Sequence, residues 1–208
     1  MIALLVAFAA APWYYTGARQ LVFFRIWGFV PQDHRLLSVF SSMFLHAGLW
    51  HLLGNAWFFW MFGKKVEEAF GKLLFILLFL ACGLGGSGLH YLFNMDSSIP
   101  CVGASGAISG IAGAFFVMFP RTRFDLCIFL LRWNVKTIET RTHAALGAWV
   151  GEQTLLGLIT QGLGASGVAY WAHIGGFATG LVLTLGLRSV VQNRKRENWS
   201  YLTKSAGE

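Results

Sequence analysis

Residues 73–93 read LLFILLFLACGLGGSGLHYLF, an unbroken run without a single Asp, Glu, Lys or Arg. At 1.5 Å rise per residue, a run of about 20 apolar residues matches a hydrocarbon core about 30 Å thick. Five more stretches of this character lie at 1–15, 44–62, 102–119, 142–163 and 168–187. The pattern predicts an all-α fold, a polytopic transmembrane bundle of six spans, with no length left over for a soluble domain. The expected organisation is a membrane domain over 1–190, with 16–43 as a membrane-interfacial outer loop, followed by a basic cytoplasmic tail over 191–208. The first run amounts to only about 22 Å of helix. It either spans with help or is the remnant of a span that starts upstream. A cleaved signal peptide would need a basic leading region, which it lacks.

Composition agrees. Of the 208 residues, 56% are apolar, 25 are Gly and only 12% are charged, where a soluble domain carries roughly 25% charge. Mean hydropathy is +0.59. These values exclude a disordered tail, a disulfide scaffold and most soluble enzymes. The net charge of +7 does not point to nucleic acid, because the basic residues lie between the apolar runs and in the tail instead of forming one patch. Segments 63–72, 120–141 and 188–208 hold 13 of the 16 Lys and Arg, and the outward side holds only Arg19, Arg25 and Arg35. The positive-inside rule then places both termini in the cytoplasm. The expected setting is a bacterial cytoplasmic membrane, with Arg194, Lys195 and Arg196 anchored against anionic lipid. Cys82, Cys101 and Cys127 have no CxxC spacing, so neither a disulfide framework nor a metal site follows. No cofactor motif is visible.

Polar residues inside spans are functional candidates by default, although hydrogen bonding between helices is their ordinary role. His46, His51 and Asn55 interrupt the second run, and the last two share a helix face. The fourth run opens with Gly103-Ala104-Ser105-Gly106. A serine there sits beside backbone N–H groups without intrahelical partners and at the positive end of the helix dipole, which suits a developing oxyanion. GxSG is cheap in so Gly-rich a chain, recurring around Ser87 and Ser166, but only Ser105 starts a span at the outer surface. His173 falls five residues after Val168, the start of the sixth run, at a similar depth of about 5–10 Å below the boundary, and His51 reaches that level as well. Gly106, Gly110 and Ala114 in one span, and Ala172, Gly176 and Gly180 in another, form small-xxx-small faces that let two backbones approach closely. Glu152, the only acid within a predicted span, comes out several ångströms too deep to orient His173. A structural partner such as Gln153 is expected for it instead.

These residues resemble the rhomboid family of intramembrane serine proteases. The resemblance covers 44–187 and rests on HAGLWHLLGN at 46–55, on Gly63, Glu67 and Gly71, on GASG at 103–106, and on AHIGG at 172–176. It implies Ser105 as nucleophile and His173 as general base in a two-residue dyad. His51, Asn55 and the N–H of Ser105 would form the oxyanion hole, and His46 would brace the outer loop. Two positions depart from the family pattern. Ser38 stands where an arginine is usual, with Arg35 nearby. Ser109 stands where some members carry an aromatic that stacks on the histidine. The implied substrates are transmembrane segments of other proteins, opened to an extended backbone and admitted between the second and fifth spans. A non-proteolytic, client-binding relative is the alternative, against which the intact Ser105 and His173 weigh. A small-solute channel or transporter would be favoured by an internal repeat, and none is seen.

Overall fold

The computed structural model describes residues 11–33, 35–130, 133–163 and 167–205. Its helices are α1 (Ala18–Trp27), α2 (Leu36–Ser42), α3 (Leu49–Phe70), α4 (Lys72–Phe93), α5 (Ser105–Met118), α6 (Thr142–Leu163) and α7 (Tyr170–Ser205). Short 3-10 turns stand at Ala11–Tyr14 and Pro31–Asp33. The predicted first span falls, apart from residues 11–15, outside the described residues.

The third, fourth, fifth and sixth apolar runs become α4 to α7. The second begins later than expected. Residues 43–45 turn back on the carbonyls of Phe40, Ser41 and Ser42, so α3 starts at Leu49 and His46 lies in the loop ahead of it. Among the described residues, only α4 and Tyr170–Val191 of α7 are both long and apolar enough to cross a membrane alone. The expectation of six comparable spans is therefore met for two helices. α5 is apolar but has only 14 residues, about 21 Å. α3 ends in a turn carrying Lys64, Lys65, Glu67 and Glu68, and α6 carries Glu152, Gln153 and Gln161. Of these polar residues only Gln153 is buried. α7 runs 36 residues to Ser205, so the segment expected as a tail continues the helix.

A second correction concerns 120–141. This stretch is no simple loop, and it departs from the all-α expectation. β1 (Arg123–Leu130) pairs antiparallel with β2 (Trp133–Arg141), from Arg123 opposite Arg141 to Leu130 opposite Trp133, with an irregularity between Ile128 and Phe129. β1 carries two Phe and an Ile, and β2 carries Trp, Val, Ile and two Thr, residues that strands prefer.

The larger of two buried clusters gathers at the ends of the helices away from Ser105. Phe62, Val66 and Phe70 of α3 meet Phe75 and Leu78 of α4, Ile111 and Phe115 of α5 and Phe177 of α7. Leu53, Trp57 and Trp60 of α3 and Leu155, Leu158 and Ile159 of α6 are exposed, as expected where lipid replaces water. The α3–α4 turn needs Gly71, which sits at φ +75° and returns its N–H to the Glu67 carbonyl at 2.7 Å.

The helices that carry the site are held by glycine contacts. A Cβ on Gly176 would overlap the Gly106 carbonyl oxygen, and one on Gly180 would overlap that of Gly110. A Cβ on Gly86 of α4 would stand 2.7 Å from the Ala172 carbonyl oxygen. α5, α7 and α4 thus pack backbone on backbone, along the small-residue faces read from the sequence. Gly176→Val should lower the detergent melting temperature by the equivalent of about 1–3 kcal/mol or more. Gly186→Ala, where nothing lies within 4 Å, should leave it unchanged.

Candidate active site

The first residue of α5 is Ser105, the third of α3 is His51 and the fourth of α7 is His173. The starts of three helices therefore bring these groups together. The Nε2 of His173 lies 2.9 Å from Ser105 Oγ, inside the range for proton transfer between a nucleophile and a base. As the first helical residue, Ser105 has a backbone N–H with no intrahelical acceptor.

Gly103, two residues ahead, lies under His51 and Asn55. It adopts φ +123°, and a Cβ on it would stand 2.8 Å from His51 Cε1 and Nε2 and 3.5 Å from Asn55 Nδ2. Its N–H donates to the Ser42 carbonyl at 2.8 Å. Asn55 Nδ2 is buried and has no acceptor among the described residues. A buried amide donor normally has a partner, and this one stands open beside a serine at a helix start. His51 Nδ1 faces the N–H of Ala47 at 3.4 Å. That contact makes Nδ1 the acceptor and leaves the proton on Nε2, the nitrogen beside Gly103.

The outer segment holds this loop in place. Phe29 and Cys101 exchange both backbone hydrogen bonds, at 2.9 and 2.7 Å, and Gln32 N–H reaches the Ser97 carbonyl at 3.2 Å. Arg35 donates to the Arg25 carbonyl at the end of α1, and Ser38 donates to the Arg35 carbonyl at 2.6 Å. With Ser38 in place of the usual arginine, Arg35 makes the tie across the outer segment. His46 is buried, its ring 5.3 Å from that of His51, and its carbonyl accepts Trp13 Nε1–H at 3.0 Å. Cys101 is no rival nucleophile, because burial pushes its thiol up to about 12.

Ser109, which stands in place of an aromatic, does not stack on the histidine; its hydroxyl donates to the Ser105 carbonyl at 2.6 Å. The stacking comes from elsewhere: Trp149 of α6 lies near-parallel to His173 at 29°, with ring centroids 6.1 Å apart. One feature differs from the sequence reading. Glu152 is exposed, whereas Gln153 is buried and its Oε1 lies 2.7 Å from His173 Nδ1. Depth counting treated the spans as level. In fact Gly157 of α6 packs beside Tyr170 and Trp171 at the start of α7, so α6 extends about a turn and a half farther out and Gln153 comes level with His173. Ser87 on α4 has no imidazole partner among the described residues, and Ser166 lies outside them. A cavity of about 620 Å³ opens beside the site, lined by His51, His90, Asn94, Asp96, Gln161 and Trp171 among others.

Comparison with known proteins gives the same direction. The family model described as a rhomboid domain matches residues 33–190. RHOMBOID-like protein 1 of Arabidopsis thaliana is 33% identical over 157 residues, covering 74% of this chain and 35% of the relative. Rhomboid protein 1, mitochondrial, of Saccharomyces cerevisiae is 28% identical over 171 residues, covering 77% and 44%. Rhomboid protease GluP of Bacillus subtilis is 40% identical over 74 residues, covering 36% and 14%. The chain thus spans less than half the length of these curated relatives.

Gly103→Ala tests the geometry. The added methyl meets the His51 ring and strains the backbone by about 1–3 kcal/mol. Slower labelling of Ser105 by a serine-directed fluorophosphonate is expected, together with a lowered melting temperature.

Proposed function

We propose that this chain, which belongs to the rhomboid family, hydrolyses peptide bonds in or near transmembrane segments of other membrane proteins. Rhomboid proteins are integral membrane proteins, and the Bacillus subtilis relative is named a rhomboid protease. The observation that carries the reading for this chain is the 2.9 Å contact between His173 Nε2 and Ser105 Oγ beside the open Asn55 amide.

In this reading His173 takes the Ser105 proton as the hydroxyl oxygen attacks the substrate carbonyl. The oxyanion is held by Asn55 Nδ2, His51 Nε2 and the Ser105 N–H. The His173 imidazolium then protonates the leaving amine, the peptide C–N bond breaks and an ester on Ser105 remains. Water, deprotonated by His173, hydrolyses that ester and restores the hydroxyl. The cavity of about 620 Å³ beside the site is the route for that water.

A helix keeps its carbonyls in intrahelical bonds, so a substrate must be extended where it is cut. Small or helix-breaking residues near the outer end of its span favour this. The access route is between α3 and α6, where Phe58 and Trp149 meet at 6.4 Å. In this reading both termini face the cytoplasm, which the positive-inside distribution supports, and α1 lies in the outer interface through exposed Leu21, Val22 and Ile26.

The test is cleavage of a panel of single-span reporter proteins co-reconstituted in liposomes. Cleavage by wild type should disappear in Ser105→Ala and His173→Ala and persist in Ser87→Ala. Asn55→Ala should lose about 10²–10³ in kcat. Folded wild type that cleaves none of the panel, or cleavage that survives Ser105→Ala, would overturn the reading in favour of client binding without proteolysis.

A further inference from the structure

We infer that Gln153 is a positioning residue: its side-chain carbonyl holds the Nδ1–H of His173 and so sets the tautomer in which Nε2 accepts the Ser105 proton. The inference deepens the proposed protease function and rests on it.

The geometry is a chain of three groups from three helices. Gln153 Oε1 of α6 lies 2.7 Å from His173 Nδ1 of α7, and His173 Nε2 lies 2.9 Å from Ser105 Oγ of α5. A neutral imidazole carries one proton on one of its two nitrogens. Oε1 can only accept, so the contact keeps the proton on Nδ1 and leaves the Nε2 lone pair toward Ser105 Oγ–H. The opposite tautomer would point an N–H at the serine and could not act as a base. Gln153 is 8% exposed, and the cost of burying its amide oxygen is met by the imidazole.

The choice of an amide over a carboxylate follows from the surroundings. The titratable groups facing His173 are His51 from α3 and His90 from α4, and neither supplies negative charge. A carboxylate at position 153 would be a buried charge until His173 took up its proton. The amide fixes the same tautomer with a dipole alone and still opposes the positive charge that forms on the ring during catalysis. Glu152 is exposed, turned about 100° around α6 from Gln153, so the acid next in sequence cannot take this role.

The experiment measures second-order labelling by a fluorophosphonate from pH 5 to 9, with the full chain in detergent. Wild type, Gln153→Leu, Gln153→Glu and Ser105→Ala are compared, with melting temperatures taken in parallel. Gln153→Leu should label about 10- to 100-fold more slowly. Gln153→Glu should stay within about threefold of wild type and shift the acid limb of its profile to higher pH, because an anion beside Nδ1 favours the imidazolium. A structural role alone would not move that limb. Should Gln153→Leu fail to fold, the shift in Gln153→Glu decides. An unshifted limb in Gln153→Glu, or a folded Gln153→Leu that labels at the wild-type rate, overturns the inference. Loss of labelling in Ser105→Ala would leave the protease reading standing in that case. Labelling that ignores Ser105→Ala overturns both.

Discussion

Backbone contact between α5 and α7 is the constraint on which the rest of the molecule depends. Where Gly176 faces the Gly106 carbonyl and Gly180 faces that of Gly110, no side chain fits between the helices. Their axes therefore come close enough for Ser105 and His173, each near the start of its helix, to meet at 2.9 Å. In a membrane, where apolar side chains gain little by leaving lipid for protein, such close van der Waals packing is what holds helices together. The same contact thus serves both cohesion and chemistry, and the larger side chains of the core lie below it, away from Ser105.

Above this contact, the site is completed by a loop with little freedom of its own. Gly103 at φ +123°, the bond from its N–H to Ser42, and the paired backbone bonds between Phe29 and Cys101 fix the approach to Ser105. The outer segment acts as a brace for this loop. One donor, the Asn55 amide, is left open where an oxyanion would sit. For the proposed reaction these polar groups are held ready in advance, so little reorganisation would be needed.

Much of this was legible in the sequence. Apolar runs locate helices because the period and length of a membrane helix are set by the bilayer, and α6 falls on 142–163 as the run predicts. The small-residue spacing identified the faces of α5 and α7 that meet, and depth counting brought Ser105, His173 and His51 to one level. What failed were the features that depend on how far one helix slides past another. Counting residues from each end gives depth only if the helices are level, and α6 is not level with α7. Counting from the helix ends therefore pairs Gln153 with Glu152, whereas its partner is His173. Hydropathy does not register the turn at 43–45 that delays the start of α3, and charged residues interleaved through 123–141 mask the β1–β2 hairpin.

The most direct measurement of the central claim is the site of covalent modification. Folded protein in detergent is treated with a fluorophosphonate, digested and sequenced by tandem mass spectrometry. The account predicts a single phosphonylated residue, Ser105, and no adduct when His173 is replaced by Ala. An adduct on any other serine, or none on folded wild-type protein, would contradict it.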